Sequence, residues 1–162
     1  MPDKRLYRLA EQVGEALKSR ALMLATAESC TGGGIGEAVT RVPGSSDWYE
    51  RGFITYTYVS KREMLGVKAD TLEKYGAVSE PAVKEMVLGA LAASHAQVAV
   101  AVSGTAGPGG GTAEKPVGTV CLSWALKGGE PLAETRQFKG DRAAVRTQAV
   151  ERALAGLLEL VK

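Results

Sequence analysis

The chain has 162 residues, two cysteines, one histidine and a formal net charge of +2 at pH 7. That length fits a single domain with a real hydrophobic core, and so small a charge, with no Lys/Arg-rich stripe, argues against a nucleic-acid partner. One histidine and two distant cysteines leave little for a zinc site or a disulfide framework, so no metal and no cofactor is expected.

Asp3 to Arg20 carries Leu6, Leu9, Val13, Ala16 and Leu17 at helical spacing, with charges on the other face. A buried strand is expected from about Leu22 to Thr26, followed by a glycine turn and a helix from Ile35 to Val42. Pro43-Gly44-Ser45-Ser46 is a turn cluster, and the aromatic, β-branched run Trp48 to Tyr58 reads as a strand. A helical turn from Ser60 to Leu65 ends at Gly66, a left-handed cap. Ser79-Glu80-Pro81 opens the clearest helix: a serine cap, an acid in the first turn, and proline where it is tolerated. Val98 to Val102 reads as a fully buried strand and Ser103 to Gly118 as a Gly/Pro-rich loop. Thr119–Leu126 and Leu132–Lys139 form a hairpin around Gly128-Gly129, and a last helix starts near Asp141. Early alternation of helices and strands with a late hairpin predicts one α/β domain over residues 1–162. It would be a layered α/β/α unit with a mixed sheet and helices on both faces. No apolar run is long enough to span a bilayer and no secretory leader pattern is seen, so a cytoplasmic location without a membrane partner is expected.

The chemistry concentrates in Thr26-Ala27-Glu28-Ser29-Cys30-Thr31-Gly32-Gly33-Gly34, at a strand-to-helix turn. Helix N-termini offer unpaired N–H groups and partial positive charge, so the turn can present a nucleophile and hold an anion. Ser29 also fits an ordinary helix cap, and Cys30 and Thr31 are rival nucleophiles. His95, at the tail of an alanine-rich helix pattern, suits a surface or capping role, so the base of any hydrolase here is not expected to be histidine. Lys61 is an alternative base. An ordinary lysine is neutral in roughly one molecule in 2,500 at pH 7, and burial or nearby positive charge would have to lower its pKa. Tyr56 or Tyr58 could relay the proton or hold the amine. Gly32-Gly33 could supply oxyanion donors beside Ser29. The second glycine loop, with Ser103, Gly104, Thr105, Gly107 and Lys115, suits a phosphate, although it is neither a Walker A loop nor a dinucleotide fingerprint. Trp48 and Trp124 read as core aromatics.

Thr26 to Gly33, Pro43 to Ser46, Gly52 to Tyr56 with Lys61, Gly76 to Glu80, Ser103 to Pro108 and Lys115 to Thr119 occur together and in order. On these motifs, which span almost the whole chain, the sequence resembles the CinA C-terminal domain family, the nicotinamide-nucleotide amidohydrolases. The resemblance implies hydrolysis of the carboxamide of nicotinamide mononucleotide to nicotinate mononucleotide and ammonia, with recycling of the pyridine nucleotide. It implies Ser29 as nucleophile, Lys61 as base, Tyr56 as an assisting group, Thr31 to Gly33 as oxyanion donors, a small-molecule nucleotide as partner, and a homo-oligomer. Tyr58 stands where many relatives carry asparagine, and Gly109 where many carry an acidic residue. The alternative class is a non-catalytic nucleotide-binding or regulatory module, which would use the same glycine loops without a neutral lysine.

Overall fold

The computed structural model describes residues 3–162. A five-stranded sheet has the order β2-β1-β3-β4-β5. Strand β1 (Leu24–Glu28) runs parallel to β2 (Tyr49–Ile54) and to β3 (Val98–Gly104). Strands β4 (Thr119–Leu126) and β5 (Leu132–Gln137) then add antiparallel. Helices α1 (Lys4–Ser19), α2 (Gly34–Thr40) and α6 (Arg142–Val161) pack on one face. Helices α3 (Tyr58–Leu65), α4 (Ala69–Tyr75) and α5 (Glu80–Ala92) cover the other. The mixed α/β/α layering expected from the sequence is the architecture found.

The period-2 alternation of side chains explains how one sheet serves two unlike cores. Along β3, Val98, Val100 and Val102 join Leu24, Val120 and Leu122 beneath α1, α2 and α6. Their neighbours Ala99 and Ala101 join Ala25, Ala27 and Ala125 beneath α5. A methyl-lined face lets a helix lie close to the sheet, and α5 takes that place with Val83, Met86 and Val87 at zero exposure. Trp48 and Trp124, at 3% and 4% exposure, belong to the opposite core.

Two expectations need correction. The strand foreseen from Trp48 to Tyr58 ends at Ile54. Thr57 instead caps α3: its hydroxyl accepts the Ser60 N–H (3.1 Å) while Ser60 Oγ accepts the Thr57 N–H (3.0 Å). This reciprocal box satisfies two donors that a helix start leaves unpaired, and it outweighs the β-propensity of the tyrosines. Helix α4 was not foreseen, because Lys68 gives it no side-chain cap. Glu85 of α5 takes that part, accepting from the Lys68 N–H (2.8 Å) and the Thr71 hydroxyl (2.5 Å). A partner that distant in sequence leaves no local signal.

Gly89 is the point where α5 meets α3: a Cβ there would run into the backbone carbonyl of Leu65. Helix propensity alone would make Gly89→Ala stabilising by about 1 kcal/mol, but a clash with backbone cannot be relieved by a rotamer. Gly89→Ala is therefore expected to lower stability by about 1–3 kcal/mol in urea denaturation; a raised midpoint would contradict this packing.

Candidate active site

The carboxyl ends of the parallel strands β2, β1 and β3 lie side by side, and the chain leaves β1 for α2 on one face but β2 for α3 on the other. Open α/β sheets bind ligands at such a position. Alternation sends the last two residues of this segment opposite ways. Glu28 points to the α2 face, where its carboxylate accepts from the Thr31 hydroxyl (2.5 Å) and the N–H groups of Ile35 (2.8 Å) and Gly36 (3.0 Å). The turn is thereby held by a buried acid that satisfies the start of α2. Ser29 points the other way, its N–H fixed on the Val102 carbonyl of β3 (3.0 Å).

Lys61 comes to Ser29 from α3. Its Nζ lies 2.9 Å from Ser29 Oγ and donates to the Thr55 carbonyl at 2.7 Å. The residue is 1% exposed. Burial disfavours the ammonium and draws the pKa down to about 8. Thr55 anchors both partners, because its own N–H donates to the Glu28 carbonyl (2.8 Å) just before Ser29. The neighbouring candidates drop out on geometry. Burial pushes the Cys30 thiol up to about 11, so at neutral pH it is protonated and a poor nucleophile. The Thr31 hydroxyl is committed to Glu28. Of the three, Ser29 has the amine beside it.

The pair opens into a cavity of about 290 Å³. Tyr56, Tyr58 and Arg142 line it, with Ser103, Gly104, Thr105 and Gly107 from the second glycine loop and Gly109 from its tip. Gly104 is required by close approach: a Cβ there would sit 2.7 Å from Val120 Cγ2 and 2.9 Å from the Thr119 carbonyl. Thr31, Gly32 and Gly33, expected as oxyanion donors, do not contribute to the cavity wall, and the Gly32 N–H is spent on the Ser29 carbonyl (3.0 Å). Lys115, expected on a phosphate, is also outside the wall and donates to the Tyr75 carbonyl at the end of α4 (2.8 Å). His95 is exposed and likewise stands apart.

Sequence reasoning missed Arg142, the first residue of α6. Its guanidinium donates to the Gly107 carbonyl (2.8 Å) and to Tyr56 Oη (3.1 Å), joining the glycine loop to the tyrosine. A separation of 86 residues between Arg142 and Tyr56 leaves no spacing to read.

The CinA C-terminal domain family model matches residues 6–161. The chain belongs to that family. A nicotinamide-nucleotide amidohydrolase PncC of Enterobacter agglomerans is 53% identical over 163 residues, spanning 100% of this chain and 99% of its own. The protein of that name in Escherichia coli K12 is 52% identical, over 97% of this chain and 95% of its own. The crystal structure of competence/damage inducible protein CihA from Agrobacterium tumefaciens superposes with a TM-score of 0.96 at 44% identity, covering 100% of this chain and 99% of that one. In this CinA-family chain four of the six motifs, those holding Ser29, Tyr56 with Lys61, Val78 and Ser103 to Gly107, supply residues to the cavity wall, whereas Pro43 to Ser46 and Lys115 to Thr119 do not.

The buried amine makes stability pH-dependent in a definite direction. With its pKa lowered to about 8 from 10.5, Lys61 loses its proton earlier in the native than in the unfolded chain. Between those values the unfolded chain binds more protons, so stability rises with pH. The handicap is full below pH 8 and gone above pH 10.5. The free-energy difference between wild type and Lys61→Met is expected to shift by about 3 kcal/mol in favour of wild type from pH 7 to 10.5. A pH-independent difference in denaturant titrations would contradict a depressed Lys61.

Proposed function

We propose that the chain hydrolyses the carboxamide of nicotinamide mononucleotide, giving nicotinate mononucleotide and ammonia, with Ser29 as nucleophile and Lys61 as base. The observation that carries the reading is the 2.9 Å contact between Ser29 Oγ and a buried Lys61 Nζ. Serine is inert at neutral pH without a base, and at a pKa of about 8 about one lysine in ten is already neutral at pH 7. Relatives named nicotinamide-nucleotide amidohydrolase, 52–55% identical over nearly the whole chain, support the substrate class.

In this mechanism neutral Lys61 uses one N–H on the Thr55 carbonyl, which aims its lone pair at the Ser29 hydroxyl. Ser29 Oγ attacks the carboxamide carbon and Lys61 takes the proton. We assign the tetrahedral oxyanion to backbone N–H groups of wall residues, with Cys30, Ala106, Gly107, Gly109 and Gly110 as the candidates. This replaces the expectation centred on Thr31 to Gly33. Tyr56 Oη accepts from Arg142, so its own proton is free to assist the departing nitrogen. Lys61 gives the serine proton up to the departing nitrogen, with Tyr56 assisting, so the amine is neutral again once ammonia has left. Lys61 then takes a proton from the entering water and returns it to Ser29 Oγ as the acyl-serine is hydrolysed. Apart from Lys61, Arg142 is the basic side chain in the wall, and it has N–H groups beyond the two already engaged. It takes the phosphate role first expected of Lys115.

Ammonia release from the mononucleotide is expected for wild type and to fall on the order of 10³-fold or more in Ser29→Ala; saturable binding without release from wild type would point to the regulatory-module class. The wild-type rate should climb with pH to a plateau above about pH 8, because the deprotonated amine is the active form. A pH-independent rate, or one that falls through that range, would remove Lys61 from the base role. Arg142→Gln should raise KM for the nucleotide roughly tenfold or more and erase its advantage over the dephosphorylated nucleoside. An unchanged ratio would place the phosphate elsewhere.

A further inference from the structure

Resting on the proposed reading, a second feature of the cavity bears on the charge of the substrate ring. The nucleotide carries a pyridinium cation next to the carboxamide, and the cavity wall contains no aspartate or glutamate. The nearest carboxylate in sequence, Glu28, is 2% exposed and engaged by three hydrogen bonds on the other side of the turn. Lys61 and Arg142 are the ionisable basic groups present, so the wall offers a cation no compensating anion.

What it does offer is two tyrosine rings. Tyr56 is unsuited to a second positive charge, because its hydroxyl already takes the Arg142 guanidinium at 3.1 Å. Tyr58 is different. It is the first residue of α3, one helical turn before Lys61 and on the same side of the helix. Both residues line the cavity. Its hydroxyl end lies over Gly76, where a Cβ would come within 3.8 Å of Oη, and its side chain keeps an exposed surface, the residue being 51% exposed. A substrate whose carboxamide carbon reaches Ser29 Oγ has its ring directly attached to that carbon, and therefore inside the cavity whose wall Lys61 and Tyr58 both help to form.

We propose that Tyr58 is a specificity-determining residue that receives the cationic pyridinium ring on its aromatic face, while Arg142 takes the phosphate at the other end of a dipolar substrate. A π face attracts a cation without a proton or a counter-ion, and it attracts a neutral ring of the same shape much less. The site then selects the oxidised, charged nicotinamide ring over its reduced, neutral 1,4-dihydro form.

The test is direct binding in the Ser29→Ala background, where neither ligand is consumed. Dissociation constants for nicotinamide mononucleotide and its 1,4-dihydro form are measured with Tyr58, Tyr58→Phe and Tyr58→Leu, all checked for native circular dichroism. Tyr58→Leu is expected to weaken the cationic nucleotide roughly tenfold, to change the dihydro form by about twofold or less, and to be rescued by Tyr58→Phe. Equal loss for both ligands, no loss for either, or a failure of Tyr58→Phe to rescue would overturn the assignment. Ammonia release by wild type is assayed alongside. If it is present while the Tyr58 variants bind both forms alike, the assignment of Tyr58 fails and the amidohydrolase reading stands; if wild type releases none, the parent reading fails.

Discussion

Burying an ammonium costs several kcal/mol unless a counter-charge arrives or the proton leaves, and Lys61 meets this demand without a carboxylate. Among the described residues its Nζ contacts a serine hydroxyl and a backbone carbonyl. Those partners can satisfy a neutral amine but cannot balance a cation. Burial therefore shifts this group towards its neutral, proton-accepting state. The surrounding elements fix the backbone that carries it: α3 is capped by its own Thr57–Ser60 box and pressed on α5 at Gly89.

The sheet supplies the second half of the arrangement. Because consecutive residues at the end of β1 face opposite layers, a buried acid and the Ser29 hydroxyl sit one residue apart without meeting. Glu28 spends its charge on the start of α2, and Ser29 is left to Lys61 on the other side. Were the register shifted by one, the carboxylate would face the amine. The ion pair so formed would hold the lysine protonated. The Val/Ala alternation that sorts the two cores sorts the chemistry as well.

A good part of this was legible in the chain itself. The glycine turn after a short apolar run, the serine-capped helix at Ser79, the hairpin at Gly128 and the buried strand at Val98 are local patterns, and the structure has each of them. Ser29 and Lys61 were singled out by residue chemistry and by motif order. Less was legible where a partner lies far along the chain. Helix α4 depends on Glu85, and Arg142 on contacts with residues 35 and 86 positions away; the end of β2 is a different case, set by a local side-chain box that competes with strand propensity.

The sequence by itself determined the order of the elements other than α4, the layered α/β class and the hydroxyl and amine available for chemistry, because periodicity, capping and composition act within a few residues. Tertiary structure decided what those groups can do. It placed Lys61 out of water against Ser29, raised the Cys30 thiol by burial so that it stays protonated at neutral pH, turned Lys115 onto the end of α4 and brought Arg142 to the cavity wall. Burial and approach are properties of packing between distant segments, and they set the protonation states on which the chemistry depends.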